Sequence, residues 1–567
     1  MSSGVQRTGM KTGGTLRGAD ILARSLARGG ARCVFALSGN HIVPVFDAAI
    51  EARLRIVHVR HEGAATHMAD AWGRLTHEPG IALFTGGPGH ANGVGGLMTA
   101  LAAESPLVMV SGHAPLDQVG LDGFQELRQA DMAAPAVKAA WTATSAATLG
   151  EDIARAMRVA RSGRPGPVHL SVPSDLFEAA EAADGAIPAA EDFRALPAPL
   201  SESMTEAVIG ALARARRPLI LTGPMMANDR GRELRMSLAE ITGIPVLFME
   251  SPRGIADPSL GAVADVLAQA DLVVLLGKKL DFTLKFGRPP TFDAECRFIQ
   301  IDPDPEAVRR AARALGAPDR LVVTAVADTL PAAECLVRVG ARRAPRPAGW
   351  AEDVQSAIRY RPAEWAALAS SEGAIHPVAV GCAIRDYFAR DPRAVYVSDG
   401  GEYSQWVQAS VSASTRITNG PGGAIGGGVP FAIAASLARP DARVVLSTGD
   451  GSFGYHLAEY ETAGREGAPF VAVVGNDGCW NAEYQIQLRT YGRDRAIGCE
   501  MSPAVRYDLA ASALGGYGEL VTKRVDLSGA LERAMRSGRP ACLNVMVERV
   551  AAPAISHRTA APTTSSG

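Results

Sequence analysis

Two acidic residues, Asp450 and Asp477, occupy positions where a metal–diphosphate site could form. Asp450 follows the apolar run RVVLST within the sequence Gly449-Asp450-Gly451, and Asp477 follows a second apolar run, FVAVVG. The segment between them has the length of one strand–helix–strand crossover, which predicts both aspartates at the carboxyl ends of neighbouring parallel strands. Their oxygens suit Mg²⁺ bound to a diphosphate, and the N–H groups of Gly451 and Ser452 could bind phosphate at a helix N-terminus. Taken alone, the two motifs could also be unrelated turns.

A third carboxylate, Glu62, follows the apolar run RIVHV and opens the helix-like segment EGAATHMADAWGRL. A glutamate at a helix N-terminus is often favoured by the helix dipole alone. Because this one is also predicted at the carboxyl end of a strand, it could instead share a proton with a ring nitrogen of a ligand.

These residues require parallel sheets to position them. Apolar strand-like runs and helix-like segments alternate along the chain, which predicts an α/β protein with three doubly wound parallel-sheet domains. The predicted domains are residues 15–178, 201–340 and 363–550, joined by Ala/Pro-rich linkers, with a flexible tail at 551–567.

Composition excludes several classes of protein. The 567 residues are 47% hydrophobic and 20% charged, with a net charge of −2, so we expect neither nucleic acid nor a membrane as a partner. Seven cysteines without a CxxC pair argue against a disulfide framework and against structural zinc. Without a membrane-length apolar run or a signal-peptide pattern, we expect a cytoplasmic protein.

The His-Glu segment and the GDG…ND segment, in this order, resemble the two cofactor motifs of thiamine diphosphate (ThDP) enzymes. FTGGPGHANGVGG and NGPGGAIGGGVP also resemble glycine-rich turns of that superfamily, and Asp477 stands where its members usually carry a second Asn. The chain is identified as a member of the acetolactate synthase, benzaldehyde lyase and oxalyl-CoA decarboxylase group, with greatest similarity to 2-hydroxyacyl-CoA lyase. The resemblance implies pyrimidine-binding, middle and diphosphate-binding domains. It also implies a homodimer or homotetramer whose active site forms between subunits.

The resemblance assigns a role to each motif. Glu62 would hydrogen-bond the aminopyrimidine ring and so activate the cofactor, and Ile425 would impose its bent shape. Asp450, Asp477 and the backbone carbonyl of Cys479 would hold Mg²⁺. The further cofactor contacts that it implies are Gly401, Glu402, Tyr403, Gly423, Gly449, Gly451 and Ser452.

Two further resemblances concern the substrate. His41 and Gln125 resemble the active-site His and Gln of benzaldehyde lyase, and a neutral imidazole is a suitable base for a 2-hydroxy carbonyl compound. The run LLGKKLDFTLKFGRPPTFDAECRFIQIDPDPE resembles the CoA-using members, which implies CoA contacts from Arg164 and Arg288. A surface-loop histidine and a solvated basic face are the alternative interpretations.

We therefore predict a ThDP- and Mg²⁺-dependent carbon–carbon lyase or carboligase with a small-molecule substrate. The preferred reaction cleaves a 2-hydroxyacyl-CoA reversibly to formyl-CoA and an aldehyde or ketone. The alternative is an acetolactate synthase-like 2-oxo acid carboligase or decarboxylase, and the sequence leaves open whether the middle domain takes CoA, ADP or FAD. An inactive ThDP-fold scaffold is the alternative outside enzymes.

Overall fold

The computed structural model describes residues 14–183, 185–342, 349–502 and 505–556. Part of the second predicted linker and most of the predicted tail, residues 557–567, lie outside these ranges. Within them, no helix is both long and apolar enough to cross a membrane.

The first domain contains a six-stranded parallel sheet of order β3-β2-β4-β5-β7-β6. Its strands, together with a separate antiparallel pair β1–β8, are β1 (Thr15–Arg17), β2 (Cys33–Ala36), β3 (Arg55–His58), β4 (Gly80–Phe84), β5 (Leu107–His113), β6 (Ala139–Thr142), β7 (Pro167–Pro173) and β8 (Ala180–Ala182). The helices are α1 (Gly18–Arg28), α2 (Val43–Ala52), α3 (Glu62–Thr76), α4 (Pro88–Ala102), α5 (Gln129–Ala133), α6 (Leu149–Arg161) and α7 (Ser174–Glu178).

The middle domain contains a five-stranded parallel sheet of order β10-β9-β11-β12-β13. Its strands are β9 (Pro218–Thr222), β10 (Val246–Phe248), β11 (Leu272–Leu276), β12 (Arg297–Asp302) and β13 (Leu321–Val326). The helices are α8 (Glu202–Arg214), α9 (Asp229–Thr242), α10 (Val263–Leu267), α11 (Pro305–Leu315) and α12 (Thr329–Gly340), followed by α13 (Gly349–Arg359) and α14 (Trp365–Ser370).

The third domain repeats the six-stranded parallel layout in the order β15-β14-β16-β17-β19-β18. Its strands are β14 (Val395–Asp399), β15 (Thr415–Thr418), β16 (Val444–Gly449), β17 (Val471–Asn476), β18 (Tyr517–Val521) and β19 (Ala541–Met546). The helices are α15 (Pro377–Arg390), α16 (Gly401–Ser410), α17 (Gly428–Ala438), α18 (Asp450–Phe453), α19 (Glu459–Glu466), α20 (Asn481–Tyr491), α21 (Tyr507–Ala513) and α22 (Leu527–Arg536). The predicted architecture is therefore confirmed, while the predicted domain limits stay a prediction.

Helices α3 and α17 join the first and third domains into one hydrophobic core. Small residues on both, such as Ala65 and Ala69 on α3 and Ala432 on α17, are fully buried and let the two backbones approach closely. Arg74 on α3 donates a hydrogen bond to the carbonyl oxygen of Thr418 on β15 at 2.5 Å. The helix that begins at Glu62 is thus held from both domains.

The first predicted linker is more ordered than its composition indicated. Residues Ala180–Ala182 pair with Thr15–Arg17, and Phe193 is 1% exposed in the core of the first domain. The segment is fixed by its pairing with β1 and by the buried ring of Phe193. Neither feature can be predicted from local composition.

Candidate active site

Glu62 is the first residue of α3 and is buried. Its Oε2 accepts a hydrogen bond of 3.0 Å from Nδ2 of Asn92 on α4. A Cβ at Gly89 would lie 3.3 Å from Glu62 Oε1 and 2.8 Å from Thr85 Cγ2, so the glycine allows the turn 85–89 to pass close to the carboxylate. Asn92 belongs to the glycine-rich segment FTGGPGHANGVGG, but the sequence pattern predicted no role for its side chain.

His41 approaches the same turn from the segment after β2. Its Nδ1 lies 2.9 Å from Thr85 Oγ1 and accepts the backbone N–H of Gly86 at 3.4 Å. Burial, with a smaller contribution from His113, lowers the pKa of His41. The imidazole is therefore neutral near pH 7, as a general base requires.

Gln125 is the third predicted site residue that lies against the turn 85–89. A Cβ at Gly87 would lie 2.7 Å from the carbonyl oxygen of Gln125, and Gly87 has φ of +59°, so only glycine fits there without strain. Oε1 of Gln125 is buried and has no hydrogen-bond partner among the described residues. We call Glu62, His41 and Gln125, gathered around residues 85–89, the first-domain half-site.

A cavity of about 70 Å³ lies at the carboxyl ends of β14, β16 and β17. It collects most of the predicted cofactor residues, and within the described ranges all of its lining residues belong to the third domain. The lining consists of Gly401, Glu402, Tyr403, Ile425, Gly449, Asp450, Gly451, Ser452, Gly475, Asp477, Cys479, Trp480, Asn481, Ala482 and Glu483. We call it the third-domain cavity. Gly423 is not among these residues; a Cβ there would lie 3.6 Å from Cβ of Pro252 in the middle domain.

The predicted helix after Asp450 is broken into short pieces. The segment α18 has four residues and is followed by a 3₁₀ turn before α19. A Cβ at Gly451 would lie 2.6 Å from the ring of Trp480, so the glycine is needed for the indole to close one side of the cavity.

The two aspartates in the cavity repel each other. Burial raises the pKa of Asp450 to about 6, and burial together with the charge of Asp450 raises the pKa of Asp477 to about 7. Asp450 accepts the backbone N–H groups of Gly451 and Gly478, both at 2.9 Å. No cluster of three His, Cys, Asp or Glu side chains able to hold a metal occurs in the described part of the chain. Two carboxylates nevertheless fit Mg²⁺, which commonly takes one or two of them together with phosphate oxygens.

The loop that carries Ile425 is held in place at Gly426, the residue after Ile425. Asp399 Oδ2 accepts the N–H groups of Gly426 at 3.0 Å and Gly428 at 2.9 Å. His456 lies with Nδ1 2.6 Å from the carbonyl oxygen of Gly426 and donates to it. Sequence reasoning missed His456, because no local pattern connects it to a residue 30 positions earlier.

Glu402 and Tyr403 have internal partners as well as a place in the cavity wall. Glu402 accepts the N–H of Ala552 at 3.1 Å and lies 3.4 Å from Nη2 of Arg253. Tyr403 donates a hydrogen bond of 3.2 Å to the carbonyl oxygen of Val473. The beginning of the predicted tail therefore lies against α16, close to the cavity.

The two predicted CoA contacts lie in different surroundings. Arg164 is partly buried and forms ion pairs with both Glu104 and Asp302, so its charge is balanced within the chain. Arg288 is exposed, with its guanidinium 5.6 Å from the centroid of the Phe286 ring. Neither residue lines the third-domain cavity.

Three family descriptions match the chain in the order of its domains. The thiamine pyrophosphate enzyme N-terminal binding domain matches residues 16–132, the central domain 205–333 and the C-terminal binding domain 399–545. The chain belongs to the thiamine pyrophosphate enzyme family, whose terminal domains bind that cofactor.

Curated relatives align over nearly the whole chain. A probable acetolactate synthase of Mycobacterium bovis is 32% identical over 94% of this chain and 96% of its own length. A 2-hydroxyacyl-CoA lyase of Oryza sativa is 30% identical, covering 94% and 95%. An oxalyl-CoA decarboxylase of Escherichia coli is 29% identical, covering 96% and 97%. The chain is thus similar to enzymes of more than one activity.

Proposed function

We propose that the protein is a ThDP- and Mg²⁺-dependent carbon–carbon lyase that cleaves 2-hydroxyacyl-CoA to formyl-CoA and an aldehyde or ketone, and that also catalyses the reverse condensation. The observation that carries this proposal is the first-domain half-site, in which His41 and Gln125 meet the same turn as Glu62. A neutral base beside the cofactor-activating carboxylate suits removal of a proton from a substrate hydroxyl.

The active site requires two copies of the chain. Within one copy, the first-domain half-site contributes no residue to the third-domain cavity. Helices α3 and α17 also fill the space between the two domains with buried side chains. The half-site of one copy would therefore complete the cavity of another, which makes the protein at least a homodimer.

Different residues of the third-domain cavity would hold the metal ion and the cofactor. Asp450, Asp477 and the backbone carbonyl of Cys479 would hold Mg²⁺, and Ile425 would support the bent cofactor. When bound, ThDP supplies a nucleophilic carbon and an electron sink for carbonyl substrates. Glu62 would exchange a proton with its aminopyrimidine ring, and His41 would take the proton of the substrate hydroxyl, while Gln125 would orient the substrate carbonyl.

A second candidate function is an acetolactate synthase-like reaction of 2-oxo acids. The relative from Mycobacterium bovis, described as a probable acetolactate synthase, favours it at 32% identity. The substrate of this reaction, a 2-oxo acid, carries no hydroxyl beside the reacting carbonyl, so its first steps need no base at His41.

Product mass spectrometry distinguishes the two functions. Purified protein with ThDP and Mg²⁺ receives 2-hydroxyisobutyryl-CoA in one reaction and pyruvate in another. We expect formyl-CoA and acetone in the first. Acetolactate or acetaldehyde with CO₂ in the second, and no product in the first, would overturn the lyase proposal.

Substitution of His41 gives a matched test. We expect His41→Phe to lower lyase turnover at least tenfold while cofactor binding is kept, because the base would be lost and ring packing retained. His58→Phe is the control, since this histidine bonds to Ser38 at 3.0 Å on the outside of the half-site. Equal activity of His41→Phe and wild type would contradict the assigned role.

A further inference from the structure

Glu459, the first residue of α19 in the third domain, is a buried carboxylate to which no role has been assigned so far. It is 1% exposed and does not line the third-domain cavity. Burying a carboxylate costs free energy unless hydrogen bonds to it compensate the lost hydration. The groups that donate to Glu459 therefore indicate its role.

The two carboxylate oxygens of Glu459 have partners in two different domains. Oε1 accepts the backbone N–H of Arg60 at 3.0 Å and that of His61 at 3.1 Å, both in the first domain. Oε2 accepts a hydrogen bond of 2.6 Å from the hydroxyl of Thr462 on α19. Burial raises the pKa of Glu459, and these three hydrogen bonds act in the opposite direction. Thr462 thus fixes the carboxylate, and the carboxylate fixes two peptide groups of the first domain.

These two peptide groups come directly before Glu62. Val59 still donates its backbone N–H to strand β2, at 2.9 Å, and α3 begins at Glu62. Arg60 and His61 therefore form the join between the sheet and the helix. Because Glu459 accepts the N–H groups of this join, it fixes the direction in which the chain enters α3 and presents the side chain of Glu62.

Other residues of α19 bind the same edge of the first-domain sheet. Strand β3 is an edge strand, and its Arg55 donates a hydrogen bond of 2.8 Å to the carbonyl oxygen of Glu466. Arg465 donates to the carbonyl oxygen of His58 at 2.5 Å. These two contacts are exposed to solvent, so water could replace them at little cost. Loss of the buried Glu459 carboxylate would instead leave two N–H groups without an acceptor.

We propose that Glu459 is a positioning residue for Glu62: the third domain of each chain orients the carboxylate that the same chain delivers to the cavity of the other copy. Glu459 acts through two peptide groups and does not touch the cofactor. This inference rests on the proposed role of Glu62 and on the proposed site between two copies. A third domain would then act on both active sites of a dimer, on one through Asp450 and on the other through Glu459.

Deuterium exchange at the reactive carbon of bound ThDP tests the proposal without a substrate. We expect Glu459→Ala to slow this exchange about tenfold at saturating cofactor, because Glu62 is kept and only its orientation is lost. Glu459→Gln keeps an acceptor oxygen and should recover most of the rate. Cofactor affinity, measured by near-ultraviolet circular dichroism, should stay within about twofold of that of wild type, because the third-domain cavity is unchanged.

Amide hydrogen exchange of the cofactor-free protein provides a second measurement. A peptide that contains residues 60 and 61 should exchange faster in Glu459→Ala than in wild type, because both N–H groups lose their acceptor. Unchanged protection of this peptide would overturn the proposal, as would wild-type exchange at the cofactor carbon.

Glu461→Ala is the matched control. Glu461 lies on the same helix, and its carboxylate is 3.7 Å from the guanidinium of Arg60, whereas the N–H groups of Arg60 and His61 bind Glu459. The control should exchange at the wild-type rate. An equal loss in Glu461→Ala and Glu459→Ala would overturn the proposal, since charge near Arg60 would then be responsible. So would a tenfold loss of cofactor affinity in Glu459→Ala.

A mixed dimer shows on which active site Glu459 acts. An Asp450→Asn chain paired with a Glu62→Gln chain keeps one complete site, with Glu62 from the first chain and Asp450 from the second. Glu459→Ala in the Asp450→Asn chain should lower activity about tenfold, whereas the same substitution in the Glu62→Gln chain should have no effect. The reverse pattern would overturn the proposal. If the mixed dimer is inactive even without Glu459→Ala, the site between copies fails, and the two exchange measurements still decide the role of Glu459.

Discussion

Nδ1 of His456 lies 2.6 Å from the carbonyl oxygen of Gly426, the residue that follows Ile425. Asp399 holds the N–H of the same glycine at 3.0 Å. The peptide groups on both sides of Gly426 are thereby fixed, and with them the loop that presents Ile425 to the third-domain cavity. His456 is a positioning residue, since it acts through this loop.

Substitution of His456 tests this relationship. We expect His456→Leu to weaken ThDP binding about tenfold, because a buried carbonyl would lose its donor and the loop would relax. Cofactor titration by near-ultraviolet circular dichroism measures the effect. Tyr455→Phe is the control: its ring packs against Gly426, and the substitution removes only the hydroxyl. Unchanged cofactor affinity in His456→Leu would contradict the positioning role.

The contact between Asn92 and Glu62 leads to a graded prediction. We expect Glu62→Gln to lower turnover at least a hundredfold, because the amide cannot exchange a proton with the cofactor ring. Asn92→Ala should lower turnover about tenfold, since the carboxylate is kept and only its orientation is lost. Steady-state kinetics at saturating cofactor compares the two variants. A larger loss in Asn92→Ala than in Glu62→Gln would show that the roles are wrongly assigned.

The paired aspartates predict a stability change in the metal-free protein. Removing one of two buried, mutually repelling carboxylates by Asp477→Asn should stabilise the protein in EDTA at pH 8 by about 2 kcal/mol. Thermal unfolding with and without Mg²⁺ and ThDP measures this gain, which should shrink when the cation is present. Glu483→Gln, at an exposed position on the cavity rim, should show no gain. An Asp477→Asn variant no more stable than wild type in EDTA would contradict the repulsion.

His67 predicts a pH dependence of stability. Burial, followed by the nearby His456, Arg74 and His61, lowers the pKa of His67 to about 3. Because the unfolded chain binds the proton more readily, the stability that neutral His67 provides is complete above pH 6.5 and is lost as the pH falls towards 3. At pH 5 the protein has lost about 2 kcal/mol of its free energy of unfolding for this reason.

His67→Leu removes this titration. Denaturant unfolding of wild type and variant at pH 8 and pH 5 measures the difference between the two pH values. We expect the fall in the free energy of unfolding between pH 8 and pH 5 to be about 2 kcal/mol smaller in the variant than in the wild type. An identical pH dependence in both proteins would show that His67 does not titrate on unfolding.

Local sequence pattern predicted much of the fold and of the site. The apolar run FVAVVG became the buried strand β17, since a strand covered on both faces of a parallel sheet reads as a continuous apolar run. The GDG…ND spacing predicted Asp450 and Asp477 at the carboxyl ends of neighbouring parallel strands, and in the structure both residues line the third-domain cavity beyond β16 and β17.

Contacts between distant segments could not be predicted in this way. The pairing of β1 with β8 and the bond from His456 to Gly426 depend on the tertiary arrangement rather than on local periodicity. The edge strand β13 alternates half-buried and exposed residues, and no strand was predicted for its sequence LVVTAV.

We propose that one copy of the chain supplies Glu62 and another copy supplies Asp450 to the same active site. Coexpression of differently tagged Glu62→Gln and Asp450→Asn chains, followed by tandem affinity purification, isolates the mixed oligomer. Each chain alone should be inactive, whereas a mixed dimer contains one intact site of two and should recover about half of the wild-type activity per dimer. A mixed dimer as inactive as its parents would show that both residues act within one chain and would contradict a site shared between two copies.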